Sequence, residues 1–365
     1  MADALNSTPL FSSHQSAGAA LIDFAGWHMP LRYQSQQAEH LAVRQHAGVF
    51  DVSHMLAVDI TGTDARRLAR LVLSNDIDRV VTPGGALYGC MLNPQGGVVD
   101  DTIWWVDNAQ HLLVVLNAAN REGDLAWLQK HAEGMDVAIV PRYNHGIIAV
   151  QGPAALELVS KALPQYSGDQ LSPMHARFSG DAVISRTGYT GEDGLELILP
   201  ASELEPAWNA LLAQGITPCG LGARDSLRLE AGMMLYGNEL SPQITPLEAG
   251  IGWCVNHSDP KRNFIGKEAL QQQQNKLHRH LLGLLLGKGM LRAGYRVCTP
   301  DGKLVGNITS GSFSPFLNAS IAMALLDAGV GDTLAVDIRS TLHQVRVVML
   351  PFVRRGKILI STQTN

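Results

Sequence analysis

Two adjacent carboxylates in an apolar run, Asp100 and Asp101, are the residues of this 365-residue chain best placed to do chemistry. They follow Asn93-Pro94-Gln95-Gly96-Gly97, a turn written in residues that supply fixed or positive φ. The turn separates two strand-like runs, Ala86 to Leu92 and Val98 to Val106, so the whole reads as a β-hairpin. Adjacent side chains on a strand point to opposite faces, so one of the two carboxylates must face the packed side. Asp is depleted in strands and almost never buried without a partner. Either the strand end is solvated with both carboxylates in water, or one is aimed into a pocket to meet a positive or proton-bearing group of a ligand. Periodicity does not say which.

Other candidates are weaker. Thr187-Gly188-Tyr189-Thr190-Gly191-Glu192-Asp193-Gly194-Leu195-Glu196 carries three glycines, but no dinucleotide fingerprint or Walker lysine follows. It offers Tyr189 and two carboxylates, Glu192 and Glu196; Glu196 lies in an apolar strand and is either an inward carboxylate or an exposed strand residue. Arg224 and Arg228 are one turn apart on a helix, with Asp225 and Glu230 nearby. Internal ion pairing suits Arg228, whereas Arg224, in the first turn after a glycine-rich loop, is placed to reach a ligand carboxylate. Ser53-His54 lacks a third triad member, and neighbours on a strand point apart. The four cysteines have no zinc or redox spacing and lie among apolar residues, which predicts buried free thiols and no metal centre.

The elements that must position these groups follow an order. A helix is predicted over 35–46, a strand over 56–61 and a helix over 65–73, then the hairpin, a strand over 111–116, a helix over 121–131 and a strand over 137–140. That is β-α-β-β-β-α-β, close to a ferredoxin-like sandwich. From Gly146 the pattern restarts with a strand, a helix over 154–162, strands over 182–186 and 195–199, a helix over 204–213 and another from Gly220 to about Leu235. Thr309-Ser310-Gly311-Ser312-Phe313-Ser314-Pro315 reads as a hydroxyl-rich turn between strands. Beyond about residue 276 strands and turns dominate, which predicts a β-barrel or Greek-key unit. No tandem repeat is visible.

A net charge of −5 argues against a nucleic-acid binder. The charge is uneven: from Lys276 onward 11 Lys and Arg stand against 4 Asp, while the rest carries 17 against 29 acidic residues. A basic C-terminal third points to an anionic ligand or acidic partner there. Met1 to Gln15 has no basic and apolar signal pattern, and Leu281 to Leu286 is too short to span a bilayer, so a soluble, cytoplasmic protein is expected.

Eight spaced blocks carry a resemblance along nearly the whole chain. They are Asp23 to Leu31, Gly48 to Met55, Gly96 to Asp101, Asn117 to Asn120, Arg186 to Glu192, Gly220 to Asp225, Thr309 to Pro315 and Pro351 to Arg354. In these blocks the chain resembles the glycine cleavage T-protein family of tetrahydrofolate-dependent aminomethyltransferases. The resemblance implies an α+β, three-domain cloverleaf with antiparallel sheets around a central folate channel. Its units would be 1–50 with 141–275, a ferredoxin-like 51–140 carrying Asp101, and a C-terminal β-barrel over 276–365.

It implies further that Asp101 approaches the reactive folate nitrogen, with Asp100 structural, and that Glu196 hydrogen-bonds the pterin ring. Arg224 and Arg354 would contact ligand, and Tyr88, Asn117, Tyr189 and Tyr236 would line the pocket. Tetrahydrofolate would be co-substrate, without a metal, and the lipoylated H-protein the partner. Another tetrahydrofolate-dependent demethylase on the same fold, or a non-catalytic folate-binding maintenance protein, are the alternatives. Two positions depart from the family pattern: Trp105 stands where many members have Tyr, and Gly85 where many have Lys. On a regular strand Trp105 shares the face of Asp101, and Trp104 that of Asp100.

Overall fold

A computed structural model describes residues 5–274 and 276–360. The outer ends of the expected first and third units, and residue 275 at the boundary between them, lie outside the described residues. Strand Leu56–Thr61 opens one sheet; helix Ala65–Val72, strands Ala86–Leu92, Val98–Asn108 and His111–Leu116, helix Arg121–His131 and strand Ala138–Pro141 follow. The sheet runs Ala86–Leu92, Val98–Asn108, His111–Leu116, Leu56–Thr61, Ala138–Pro141, with every neighbouring pair antiparallel. Set aside the edge strand Ala86–Leu92, and a ferredoxin-like β-α-β-β-α-β remains.

The next stretch repeats that plan. Strand His145–Gln151, helix Ala155–Ala162, strands Ala176–Ser179, Ala182–Ser185 and Gly194–Pro200, helix Ala201–Ala213 and strand Thr217–Pro218 come in the same order. This sheet has six strands because Gly48–Asp51 is inserted between His145–Gln151 and Thr217–Pro218. In both units the first strand passes to its helix through a glycine, Gly62 at φ 125° and Gly152 at φ 131°. A Cβ there would lie 2.1 Å from the Asp136 carbonyl oxygen or 2.5 Å from that of His46, so only glycine closes the turn. The duplicated plan is invisible as a tandem repeat because it is held in topology and turn chemistry rather than in side chains.

Strand alternation sorts the side chains into layers. Val58, Ile60, Trp104, Val106, Leu112 and Val114 pack under the helices of their own sheet, and Ile148, Val150, Ile184, Leu195 and Leu197 under those of theirs. The intervening residues, Ala57, Trp105 and Leu113 on one sheet and Ile147, Ala149, Val183 and Ile198 on the other, meet in a single buried cluster. The two sheets therefore lie face to face with helices outside, and an inward residue on either strand set enters a layer shared by both.

The C-terminal part is a closed barrel in the order Arg279–Leu286, Ala319–Asp327, Leu304–Ser314, Arg296–Cys298, Thr333–Ile338, Thr341–Val348. Closure removes the edges that an isolated antiparallel sheet of this size would expose. Helix Leu221–Glu230 packs against this barrel and against strand Trp27–Arg32. Two sequence expectations fail. That helix ends at Glu230, not near Leu235, because Gly232 turns the chain at φ 66°. Residues 309–314 form no turn but the end of strand Leu304–Ser314, where the hydroxyls of Ser310 and Ser314 bond to buried charges of the helix. Among the described residues no helix is long and apolar enough to cross a membrane.

Candidate active site

The layer geometry decides between the two hairpin carboxylates. Asp100 falls on the helix side with Trp104 and is fully buried; Asp101 falls on the inter-sheet side with Ile103 and Trp105 and is partly accessible. A register shift between Met91 and Leu92, opposite Val98 to Asp100, is a bulge that sits directly before the pair. Bulges of this kind re-aim the residues that follow them.

Each carboxylate has its own partners. Asp101 Oδ2 accepts from the Tyr88 hydroxyl at 2.9 Å, and Asn117 Nδ2 lies 3.4 Å from Oδ1 and 3.1 Å from the Asp101 carbonyl. The Asp100 Oδ1 accepts from Asn117 Nδ2 and from Asn120 Nδ2, both at 3.0 Å. Burial, and then the negative charge of Asp100, push the Asp101 carboxyl up to about 7, against the pull of Tyr88 and Asn117. A carboxyl set near neutrality holds charge or passes a proton at working pH. Tyr88 stacks on Trp253, ring centroids 5.4 Å apart, and Trp253 is 66% exposed at the rim.

Behind the pair lies a residue the sequence concealed. Asp124, in the first turn of helix Arg121–His131, is buried, and neither its Oδ2 nor that of Asp100 has a donor among the described residues. One proton shared between them satisfies both. Burial and the Asp100 charge push Asp124 up to about 10, which keeps that proton in place at neutral pH. Asp124→Asn keeps a donor towards Asp100 and should shift Tm little. Asp124→Leu strands the Asp100 oxygen, and thermal melts should then show a loss of about 1–3 kcal/mol. Equal Tm for the two variants would rule out the shared proton.

The second sheet supplies the other half. Glu196 and Ile198 share a face of strand Gly194–Pro200, so Glu196 points into the inter-sheet layer and not to solvent. Its Oε2 accepts from the Thr187 hydroxyl at 2.5 Å, while its Oε1 has no donor among the described residues. Arg224 lies over the Tyr189 ring, 4.7 Å from its centroid, and its guanidinium donates to no acceptor among the described residues. Burial lowers the Arg224 value, with Glu196 and Tyr189 opposing. Tyr189, whose hydroxyl bonds to the Met234 carbonyl, feels the charges of both Asp101 and Arg224 and so stands between the two half-sites. Tyr236 lies close to Asp100, Asp124 and Asn120.

Other candidates settle elsewhere. Arg354 is exposed on the hairpin Val353–Arg354 with Lys357–Ile358, whose backbone bonds to Gly191 and Glu192; its side chain does not join the cluster. Glu192 is an ion-pair partner of Arg44 at 2.8 Å. Arg228 is buried and paired with Asp225, as helical spacing predicts, and with Glu239 beyond the end of the helix. Ser53 bonds to the Ile147 backbone, and His54 packs edge-on against Phe24, so they form no nucleophile and base. The glycine-rich loop packs on protein: a Cβ at Gly188 would meet Gln151 Oε1 at 1.9 Å.

Of the two departures, Gly85 is buried, and a Cβ there would lie 2.6 Å from Val80 Cγ1, so no lysine fits without moving Val80. Trp105 is 1% exposed and donates to Ser185 Oγ at 2.8 Å; it lies within the inter-sheet layer and does not line an open pocket. The cysteines are free and buried, and among the described residues no group of His, Cys, Asp and Glu could hold a metal ion.

The chain has counterparts among known proteins. The family described as GCVT N-terminal domain matches residues 10–259, and the glycine cleavage T-protein C-terminal barrel domain matches residues 279–354. An aminomethyltransferase from Bordetella petrii is 49% identical over 98% of this chain and 99% of its own length. One from Paraburkholderia phymatum is 47% identical over 98% and 99%. The crystal structure of glycine cleavage system aminomethyltransferase T from Bartonella henselae superposes with a TM-score of 0.92 at 33% identity, covering 97% of this chain and 99% of that one. With both domain families matched in order, and relatives at this identity spanning nearly the full length, the chain belongs to the glycine cleavage T-protein family.

Proposed function

We propose that this chain is a tetrahydrofolate-dependent aminomethyltransferase. It takes the carbon of an aminomethyl group carried on the dihydrolipoyl arm of an H-protein, passes it to tetrahydrofolate as 5,10-methylenetetrahydrofolate, and releases ammonia. One observation carries this reading: Asp101, held by Tyr88 and Asn117 on the inner face of one sheet, faces a layer into which Glu196 points from the other. The free oxygen of Glu196 suits the N–H groups along one edge of a pterin, and the unengaged donors of Arg224 suit an anionic or carbonyl group of the ligand. Folate, when bound, supplies the nitrogen that receives the carbon.

The protein's own contribution is placement and charge. Holding two reactants in register supplies about 7–11 kcal/mol in well-oriented systems, the largest contribution available here. Asp101 orients the receiving nitrogen and stabilises positive charge that develops at the carbon as ammonia leaves. Tyr88 and Asn117 hold Asp101 in place, with Asn117 in turn tied to Asp100, and together with Tyr189 and Tyr236 they line the space. Arg354, on the exposed hairpin whose backbone bonds to Gly191 and Glu192, would meet a ligand only where it extends out of the layer. A cytoplasmic setting suits four free cysteines. The test is formation of methylenetetrahydrofolate and ammonia from aminomethylated H-protein; failure to form either would overturn the assignment.

For the carrier, the basic C-terminal third is the docking side in this reading. Arg292 is exposed and lines a surface groove with Arg32, Gln36 and Ser312, and Arg296 is exposed nearby. Reversing both charges, Arg292→Glu with Arg296→Glu, should raise KM for H-protein about tenfold and flatten its salt dependence. A KM indifferent to both reversal and ionic strength would remove this face from the docking site.

A further inference from the structure

Trp105 begins a line of hydrogen bonds that ends on Glu196. Its Nε1 donates to Ser185 Oγ at 2.8 Å, Ser185 Oγ is 2.8 Å from Thr187 Oγ1, and Thr187 Oγ1 donates to Glu196 Oε2 at 2.5 Å. Trp105 and Ser185 are each 1% exposed and Thr187 is 8% exposed, so water does not compete for these bonds. The line crosses from the sheet that carries Asp101 to the sheet that carries Glu196.

Its direction is fixed by its two ends. An indole N–H can only donate, and an ionised carboxylate can only accept. Ser185 Oγ therefore receives the Trp105 proton and must send its own to Thr187, which must send its own to Glu196. All three protons point the same way. The Glu196 end sets the order of donors, and Trp105, which has no acceptor, adds a partner to Ser185 that cannot draw the Ser185 proton away from Thr187.

We infer that Trp105, Ser185 and Thr187 form a one-way donor line that positions Glu196, occupying Oε2 and presenting Oε1 as a fixed acceptor to the donor edge of the folate ring. The line makes these three positioning residues for ligand recognition, since none of them meets the reacting atoms. It also accounts for Trp105, which on the strand of Asp101 is spent on the opposite sheet's carboxylate. This inference rests on Glu196 being a folate ligand, as proposed above.

The experiment measures Kd for tetrahydrofolate, and KM against kcat, in the full chain. Thr187→Val, which replaces the hydroxyl with a methyl group, should raise Kd and KM about tenfold, a typical loss when one buried hydrogen bond is broken, with kcat at saturating folate falling much less. Thr187→Ser should restore binding. Trp105→Phe keeps the aromatic body, removes the donor and should weaken binding about threefold or more. In a Glu196→Gln background, Thr187→Val should add little, because both changes act on one contact. Should Thr187→Val fold poorly, Ser185→Ala with Trp105→Phe carries the same test. If Glu196→Gln weakens folate binding while the line variants bind as wild type, or if the double variant is additive, the donor line is refuted. If Glu196→Gln itself binds folate normally, the assignment of Glu196 is at fault and not the line.

Discussion

Replacing Asp101 with Asn is expected to lower kcat about 10²–10³-fold, the usual loss when a preorganised electrostatic partner is removed from a reacting centre. Affinity for tetrahydrofolate should change far less, because Glu196 acts from strand Gly194–Pro200 of the other sheet and Arg224 from helix Leu221–Glu230. Steady-state and single-turnover assays with aminomethylated H-protein separate the two effects. Wild-type kcat should climb as pH rises through about 7, where the Asp101 carboxyl loses its proton, and the variant should lack that acid limb. The stability sign is opposite. Folding raises this acid from 3.8 to about 7, so its protonated form favours the fold at low pH and that contribution is lost as pH rises through about 7. Asp101→Asn should therefore melt higher than wild type at pH 8 and close to it at pH 4. An undiminished kcat would end the role given to Asp101.

The second large effect is on stability. Arg44 is fully buried and binds Glu230 through Nε at 2.9 Å, Glu192 at 2.8 Å and the carbonyls of Thr190 and Leu227. Glu230 also meets His40 Nε2 at 3.1 Å and the Ser314 hydroxyl from the barrel, so a single cluster ties helix Gln36–Gln45, helix Leu221–Glu230 and the barrel together. Arg44→Met leaves two acids without their main counter-charge and should cost about 3–5 kcal/mol in urea or thermal unfolding. The surface pair of Arg67 with Asp64 at 3.5 Å is the contrast: Arg67→Ala should cost less than about 1 kcal/mol. Burial works against ionisation of Glu230, but His40, Arg44 and Ser314 outweigh it and hold the acid below its ordinary 4.5. That contribution is present above pH 4.5 and is lost as pH falls below it, and Arg44→Met should reduce this acid sensitivity, with His40 and Ser314 keeping the rest. A loss below about 1 kcal/mol for Arg44→Met would mean the cluster is replaceable by packing.

Local pattern carried much of the fold. The hairpin strands, strand His111–Leu116 and helix Arg121–His131 were legible because alternation, helical spacing and turn residues are written within a few positions of one another. What could not be read is which face of a strand meets helices and which meets another sheet. Both faces of Val98–Asn108 are apolar, so Asp100 and Asp101 look alike until the two sheets are stacked. The resemblance supplied Tyr88 and Asn117, whose bonds to Asp101 join positions 13 and 16 residues apart. Asp124 looked like an ordinary acid in a helix's first turn, and only its proximity to Asp100 gives it a second meaning. Ser310 and Ser314 spoke for a turn by composition, while their partners, Arg228 and Glu230, lie some eighty residues away and hold them in a strand. Arg354 followed the family pattern but stands on an exposed hairpin.

The face-to-face sheets have a consequence for the span of the site. No hydrogen bond joins Asp101 to Glu196; the strands that carry them belong to two sheets stacked through one apolar layer, and stacked sheets stand about 10 Å apart. Trp105, Phe50, Ile147 and Ile198 thus act as a spacer, and close packing makes that spacer stiff. The reach between the anion that meets the carbon and the acceptor that holds the ring is a length set by core volume, so a methylene added or removed deep in this layer changes the gauge of the site without touching a single polar group.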